Sequence, residues 1–121
     1  MRLNNDIGKY GELLAQKYLS ACGYEILLKN WRCKFGEIDL IAQKGGRIIF
    51  FEVKTRRGGS FGAPYEAVDR GKSKKILKTA LKFLAENKLK STPQIDIISI
   101  KLNMYNIVED IEHFKNIYES K

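Results

Sequence analysis

Two neighbouring segments joined by a glycine pair constrain the fold of this chain most strongly. Glu37–Ala42 and Ile48–Lys54 both have the alternating pattern that is typical of a β-strand. Gly45 and Gly46, which lie between them, supply the positive φ angles of a two-residue turn. The pattern therefore predicts an antiparallel hairpin. In its first strand, residues 38, 40 and 42 should share one face and residues 37, 39 and 41 the other.

The register of this hairpin predicts a pair of facing carboxylates. A two-glycine turn places Asp39 opposite Glu52 and Glu37 opposite Lys54. Facing residues lie on the same side of the sheet with Cβ atoms about 5 Å apart, where two like charges are destabilising unless a cation lies between them. We therefore expect a Mg²⁺ or Mn²⁺ ion held by Asp39, Glu52 and the Val53 carbonyl.

The second strand of the hairpin carries charges where an apolar run would be expected. Glu52 and Lys54 lie two positions apart and so share a face, which lets the ammonium reach a water or phosphate held by the metal. There it would orient the attacking water and offset developing negative charge. A solvated hairpin face, with Glu37 and Lys54 as a cross-strand ion pair, is the alternative explanation of the same residues.

The rest of the chain predicts an α/β protein. Apolar spacing and glycine or proline breaks indicate helix Asn5–Cys22, strand Tyr24–Trp31, loop Arg56–Pro64, helix Tyr65–Leu89, and strands Gln94–Leu102 and Ile107–Phe114. Glu12 borders the apolar stripe of the first helix and is a candidate further acid, although such a glutamate is more often a plain surface residue. In the second helix we expect Leu81 to face inward, and we expect His113 to have no role.

Charge and length indicate the partner class and the domain organisation. The chain has 22 basic and 14 acidic residues in 121, a net charge of +8 that attracts polyanions, of which nucleic acid is the foremost. One domain over residues 1–121 fits this length. Neither a transmembrane run nor a secretory signal is expected, and Cys22 and Cys33 lack a metal-binding or disulfide pattern, so we expect a cytoplasmic protein.

Basic residues flank the predicted site in sequence. Arg56 and Arg57 begin a glycine-rich loop, and Lys72 and Lys75 lie near the start of the second helix. Loops and helix starts of this kind suit contacts with phosphate, so these four residues are candidate DNA ligands.

The acidic and basic residues of the hairpin also carry a family resemblance. Asp39 followed by Glu52-Val53-Lys54 resembles the motif of the PD-(D/E)xK nuclease superfamily, and residues 36–42, 51–56, 66–68 and 72 are similar to the YraN-like family of endonuclease-like proteins. The resemblance implies a restriction-endonuclease-like αβββαβ core, a mixed sheet flanked by helices, similar to archaeal Holliday junction resolvases. It also implies Asp39 and Glu52 as metal ligands, Lys54 as the catalytic lysine, Glu12 as a further acid and DNA as the substrate.

Three functions are compatible with these features. The first is a Mg²⁺- or Mn²⁺-dependent endonuclease that acts on DNA, with branched or otherwise structured DNA as one option. The second is a non-catalytic nucleic-acid-binding module, and the third is a scaffold for an acidic protein. The carboxylates favour the first, because a surface that only binds phosphate has no need of groups that repel it. A monomer and a homodimer are both compatible with the sequence.

Overall fold

The order of elements is the predicted one: helix, three strands, helix, two strands. The computed structural model describes residues 3–58 and 70–117. Its elements are α1 (Leu3–Ala21), β1 (Glu25–Cys33), β2 (Gly36–Lys44), β3 (Arg47–Arg57), α2 (Arg70–Glu86), β4 (Gln94–Leu102) and β5 (Val108–Phe114). Gly23 follows α1 with a φ of 95°, which is the left-handed conformation that ends many helices.

The strands form one mixed sheet in chain order, β1-β2-β3-β4-β5. Only β3 and β4 run parallel, and the other neighbours are antiparallel. Parallel neighbours require a crossover connection, and α2 lies in the segment that joins these two strands. The predicted α/β fold with a mixed central sheet and flanking helices is confirmed.

Each helix covers one face of the sheet with its own apolar cluster. On the α1 side, Ala15 and Leu19 pack with Leu40 and Phe51. On the α2 side the buried cluster consists of Ile38, Ile41, Phe50, Ile76, Ala80, Phe83, Leu84 and Ile95. The sheet therefore separates two cores. A residue that reaches both sides must lie at a gap between two strands.

The inward face of α2 differs from the predicted one. Leu81 is 47% exposed, whereas Phe83 is buried. The Phe83 ring meets those of Trp31 and Phe50 edge-on, with centroids 5.3 and 5.8 Å away. The aromatic neighbours come from two strands distant in sequence, so the helical spacing alone left the choice of inward residues open.

The hairpin register is confirmed as far as it runs. Lys44 pairs with Arg47, and the ladder continues to Leu40 and Phe51, where the described pairing of β2 with β3 ends. The expected pairs beyond that point, Asp39 with Glu52 among them, are not formed. Gly45 and Gly46 have φ angles of 59° and 77°, as the turn requires.

Face alternation in β2 is broken at Asp39. Leu40 and Ala42 face α1, but Ile38 lies with Ile41 in the α2 cluster. The prediction that residues 38, 40 and 42 share a face is therefore wrong. The neighbouring strand is irregular at the same level, where Asn30 adopts a left-handed φ of 52°. The pairing of β1 with β2 continues on both sides of this point.

Other boundaries shift modestly. Arg56 and Arg57 belong to β3 and not to a loop, because β3 continues beside β4 up to Leu102. Residues 59–69, which include the predicted start of the second helix, lie outside the described residues. Neither described helix combines the length and apolar character that crossing a bilayer requires.

Candidate active site

The site begins where β2 and β3 separate. Asp39 lies at this gap, and its Oδ2 accepts a hydrogen bond of 2.8 Å from the Val53 backbone N–H. In an extended strand, the N–H and C=O of one residue point to the same edge, so the Val53 carbonyl also faces the gap. At this point, the hydrogen bond to the Asp39 side chain replaces the backbone hydrogen bonds between β2 and β3 that the predicted register required.

A first cavity of about 400 Å³ opens from the gap toward α2. Its charged lining consists of Glu37, Asp39, Glu52, Lys54 and Lys75, and Ile76 from α2 lines it as well. The structure therefore brings the three predicted hairpin residues together, and it adds a lysine from the second helix. Glu52 and Lys54 are only 12% and 18% exposed, so water screens their charges weakly.

The ion pairs around this cavity differ from the predicted cross-strand pair. Lys54 Nζ lies 3.1 Å from Glu52 Oε2 on its own strand. Glu37, expected opposite Lys54, lies instead 3.4 Å from the Arg32 Nε. The alternative of a solvated hairpin face required an ion pair between Glu37 and Lys54. Lys54 instead pairs with Glu52, inside the cavity.

A second cavity of about 440 Å³ lies on the α1 side of the same gap. Glu12, Thr55 and Arg57 line it, and both cavities share Asp39 and Val53. Side chains alternate along β3, so Glu52 and Lys54 project toward α2 while Thr55 and Arg57 project toward α1. Glu12 therefore approaches Asp39 from the side of the sheet opposite to Lys54.

Glycine at position 11 lets α1 come this close. A Cβ built on Gly11 would overlap the Thr55 side chain, so a larger residue would push the helix away from β3. Glu12 follows directly in the helix, and its approach to the gap depends on that contact. Sequence reasoning missed Gly11, for which a glycine inside an otherwise helical pattern was the available signal.

Asn30 is a second residue that sequence reasoning missed. Its Nδ2 donates to the Glu12 carboxylate at 3.2 and 3.3 Å and to Glu37 Oε2 at 3.2 Å. One amide thus joins two carboxylates that would otherwise repel each other. Asparagine tolerates the left-handed conformation found there better than most residues, and that property was the only local signal.

The carboxyl cluster changes the protonation of Asp39. Burial is the main cause that raises the pKa of Asp39 to about 6, and the negative charges of Glu12, Glu52 and Glu37 raise it further. The hydrogen bond from Val53 acts in the opposite direction. A carboxyl group with a raised pKa in a cavity is typical of functional sites, because a bound cation would reverse the same penalty.

The donor set suits a hard divalent cation with few protein ligands. No three histidine, cysteine, aspartate or glutamate side chains within the described residues are arranged to hold a metal ion. Mg²⁺, however, usually takes only one or two carboxylates and completes its shell with water and substrate phosphate. Two carboxylates and a backbone carbonyl at one gap match that preference.

The four candidate DNA ligands are distributed over different places. Lys75 lines the first cavity, and Arg57 lines the second, where its Nη1 donates to Asn106 Oδ1 at 3.2 Å. Arg56 is half-buried in β3. Lys72 belongs to α2, but its side chain is outside the described part of the chain.

His113, expected to be a bystander, lines neither cavity but takes part in a buried polar cluster. Its Nε2 lies 2.7 Å from Oδ2 of the fully buried Asp96. Oδ1 of the same carboxylate accepts hydrogen bonds from Gln94 Nε2 and from the Asn116 backbone at 3.1 and 2.8 Å. The cluster ties β5 and the segment after it to β4. In the sequence, this cluster could have been recognised from an aspartate, Asp96, within the apolar run of β4.

Comparisons with known proteins place the chain in a family. The model of "Uncharacterised protein family UPF0102" matches residues 11–100. A UPF0102 protein of Caldanaerobacter subterraneus is 46% identical over 114 residues, covering 93% of both chains. UPF0102 proteins of Clostridium kluyveri and Clostridium botulinum are 43% and 42% identical, each covering 96% of both chains.

Among solved structures, Pyrococcus furiosus SfsA in complex with Ca²⁺ is similar, with a TM-score of 0.41 and 13% identity. The match covers 97% of this chain and spans 65% of that structure. The family model and the near full-length relatives decide the assignment. The chain belongs to the uncharacterised protein family UPF0102.

Proposed function

We propose that the protein is a divalent-metal-dependent endonuclease that hydrolyses phosphodiester bonds of DNA. The observation that carries the proposal is the first cavity, where Asp39, Glu52 and Lys54 meet at the gap between β2 and β3. A protein with a net charge of +8 attracts phosphate, and carboxylates in the same cavity would repel it. Their presence beside a lysine is explained by catalysis with a cation and not by binding alone.

Asp39, Glu52 and the Val53 carbonyl would hold a Mg²⁺ or Mn²⁺ ion. When bound, the ion would activate water for attack on phosphorus and stabilise the charge on the phosphate oxygens. The environment of Asp39 supports this assignment, because burial and three neighbouring carboxylates make its charge costly unless a cation is present.

Lys54 and Lys75 would act on the phosphate from two walls of the cavity. The Lys54 ammonium lies beside Glu52. With a cation on Glu52, it would orient water or offset the charge that develops in the transition state. Lys75, which α2 brings to the same cavity, would bind a phosphate oxygen before and after cleavage.

Glu12 would have a different role from the hairpin residues. It reaches Asp39 through the second cavity and is held there by Asn30. From that position it strengthens the negative field at Asp39 without facing Lys54 or Lys75. The catalytic residues would thus lie on the α2 side of the sheet and a supporting acid on the α1 side.

We also propose a cytoplasmic location for the protein and branched DNA as the preferred form of its substrate.

Cleavage assays with a binding control test this function. Labelled linear, nicked, flapped and four-way DNA are incubated with the protein in Mg²⁺, Mn²⁺ or EDTA. We expect metal-dependent cleavage, and Lys54→Ala should abolish it while leaving DNA affinity nearly unchanged. Lys90→Ala, which removes an exposed lysine that lines neither cavity, is the matched control. Absence of cleavage with either metal on every DNA form would favour the non-catalytic binding module instead.

A further inference from the structure

The turn between β4 and β5 exposes an unusual group of apolar side chains. Met104 is 78% exposed, Tyr105 83% and Ile107 60%, within a stretch of four residues. The turn geometry needs neither methionine nor tyrosine, since polar residues and glycine dominate such positions. We call Met104, Tyr105 and Ile107 the apolar tip. Single exposed apolar residues are common, but three on one turn indicate a binding surface.

Hydrogen bonds of Asn103 order the backbone of the turn that carries the apolar tip. Asn103 Oδ1 accepts hydrogen bonds from the backbone N–H groups of Tyr105 and Ile107, at 2.8 and 3.0 Å. The Asn103 backbone N–H donates to the Ile107 carbonyl at 2.8 Å, and Asn106 takes the left-handed φ of 63° that closes the turn. A rigid surface loses little conformational entropy when it binds, which favours a role in recognition.

A single side chain joins the apolar tip to the candidate active site. Arg57 Nη1 donates to Asn106 Oδ1 at 3.2 Å, and the same arginine lines the second cavity together with Asp39. Gly58 continues the connection, because its N–H donates to the Leu102 carbonyl at 3.1 Å. Arg57 therefore lies between the second cavity and the turn that carries the apolar tip.

We propose that the apolar tip is a stacking platform for an unpaired base of the DNA whose backbone enters the site, an inference that rests on the proposed function. Bases present a flat π-face to an aromatic ring when they are not paired, and Arg57 supplies a phosphate contact beside it. The preferred substrate is then DNA with unpaired nucleotides next to the cleaved bond.

A second copy of the chain fits the apolar tip less well. Stable interfaces bury roughly 800 Å² on each partner, which three side chains on one turn do not provide. Two copies would also each carry a net charge of +8 and repel one another. A single unpaired base needs a far smaller apolar surface than a protein partner, and Arg57 at the same turn supplies a positive charge for its phosphate.

Binding experiments in EDTA separate this inference from cleavage. Affinities are measured for a flapped DNA with 2-aminopurine at its first unpaired position and for the fully paired duplex. The double variant Met104→Ser/Tyr105→Ser should lower the preference for flapped over paired DNA by about 10-fold or more. It should also abolish the quenching of 2-aminopurine fluorescence, which Tyr105→Phe should retain. Leu81→Ser, which removes an exposed apolar side chain from α2, is the control.

The outcomes are distinguishable. If the wild-type protein binds flapped DNA and the double variant keeps the same preference and quenching, the stacking role is wrong while the nuclease proposal stands. If the variant changes only self-association, measured by sedimentation, the apolar tip binds a second copy instead. A wild-type protein that binds no DNA form would overturn both proposals.

Discussion

The substitution Asp39→Asn tests whether the folded protein holds a carboxyl group where its charge is costly. Asparagine keeps the shape of the side chain and an oxygen that can accept the hydrogen bond from Val53. It removes only the ionisation. The two proteins should therefore differ in how stability depends on pH and on divalent cations, while sharing one fold.

The magnitude follows from the pKa of Asp39, which rises from 3.8 to about 6 on folding. Between these values the folded state binds more protons than the unfolded state, so the free energy of unfolding falls as pH rises. The stabilising contribution is fully present below pH 3.8 and has been lost above about pH 6. At 1.36 kcal/mol per pKa unit, the loss amounts to about 3 kcal/mol.

Urea unfolding between pH 4 and pH 8 in EDTA measures this difference. Relative to the wild-type protein, Asp39→Asn should become more stable as pH rises, by up to about 3 kcal/mol, with most of the change complete by pH 7. Asp110→Asn, at an exposed position on β5, is the control and should show no such trend. Equal pH profiles for wild type and Asp39→Asn would refute the reasoning, because they would mean that Asp39 ionises without a penalty.

Divalent cations supply the second half of the same test. At pH 7.5, Mg²⁺ or Mn²⁺ should stabilise the wild-type protein, since a ligand that binds only the folded state raises the free energy of unfolding. Asp39→Asn should lose most of that effect. If Mg²⁺ stabilises both proteins equally, the cation binds elsewhere and the assignment of Asp39 as a ligand is wrong.

Three further predictions concern neighbouring residues. Asn30→Gly keeps the left-handed backbone but removes the amide between two carboxylates. It should therefore lower the free energy of unfolding by about 1 kcal/mol and reduce cleavage. Lys88→Gly, also at a positive φ, should leave cleavage intact. Lys75→Gln should weaken DNA binding and reduce the salt dependence by about one unit. Lys74→Gln, at the neighbouring exposed position, lines neither cavity and should weaken binding less. His113→Ala leaves the buried Asp96 without its contact to the ring and should lower the free energy of unfolding in urea by about 1–3 kcal/mol. A loss no larger than that of Glu112→Ala would contradict it.

Local patterns in the sequence were sufficient to predict the elements and the hairpin. Alternation, helical spacing and glycine positions act over a few residues, so they depend little on the rest of the fold. The turn at Gly45 and Gly46 fixed the register between β2 and β3 because a two-residue loop allows one pairing. Glu52 and Lys54 stood out since charges within an apolar strand need a compensating environment.

The tertiary structure decided how the site is assembled. Asp39 occupies a gap between strands, because the irregularity at Asn30 and the end of the ladder come from contacts between β1, β2 and β3. The two helices pack on opposite faces of the sheet and so bring Glu12 and Lys75 to the gap from opposite sides. Spacing along one strand specifies the face of that strand, but which helix covers that face depends on the topology.

Burial is the property that the sequence described least well. The pKa of Asp39 is raised first by burial and then by three carboxylates from α1, β2 and β3, and the Asp96–His113 contact joins β4 to β5. The energy of a charge or a polar pair depends on the solvent excluded by residues far away in the chain. The sequence by itself thus determined which residues carry the charges, and only the packing of both helices on an opened sheet decided which charges meet and how strongly they interact.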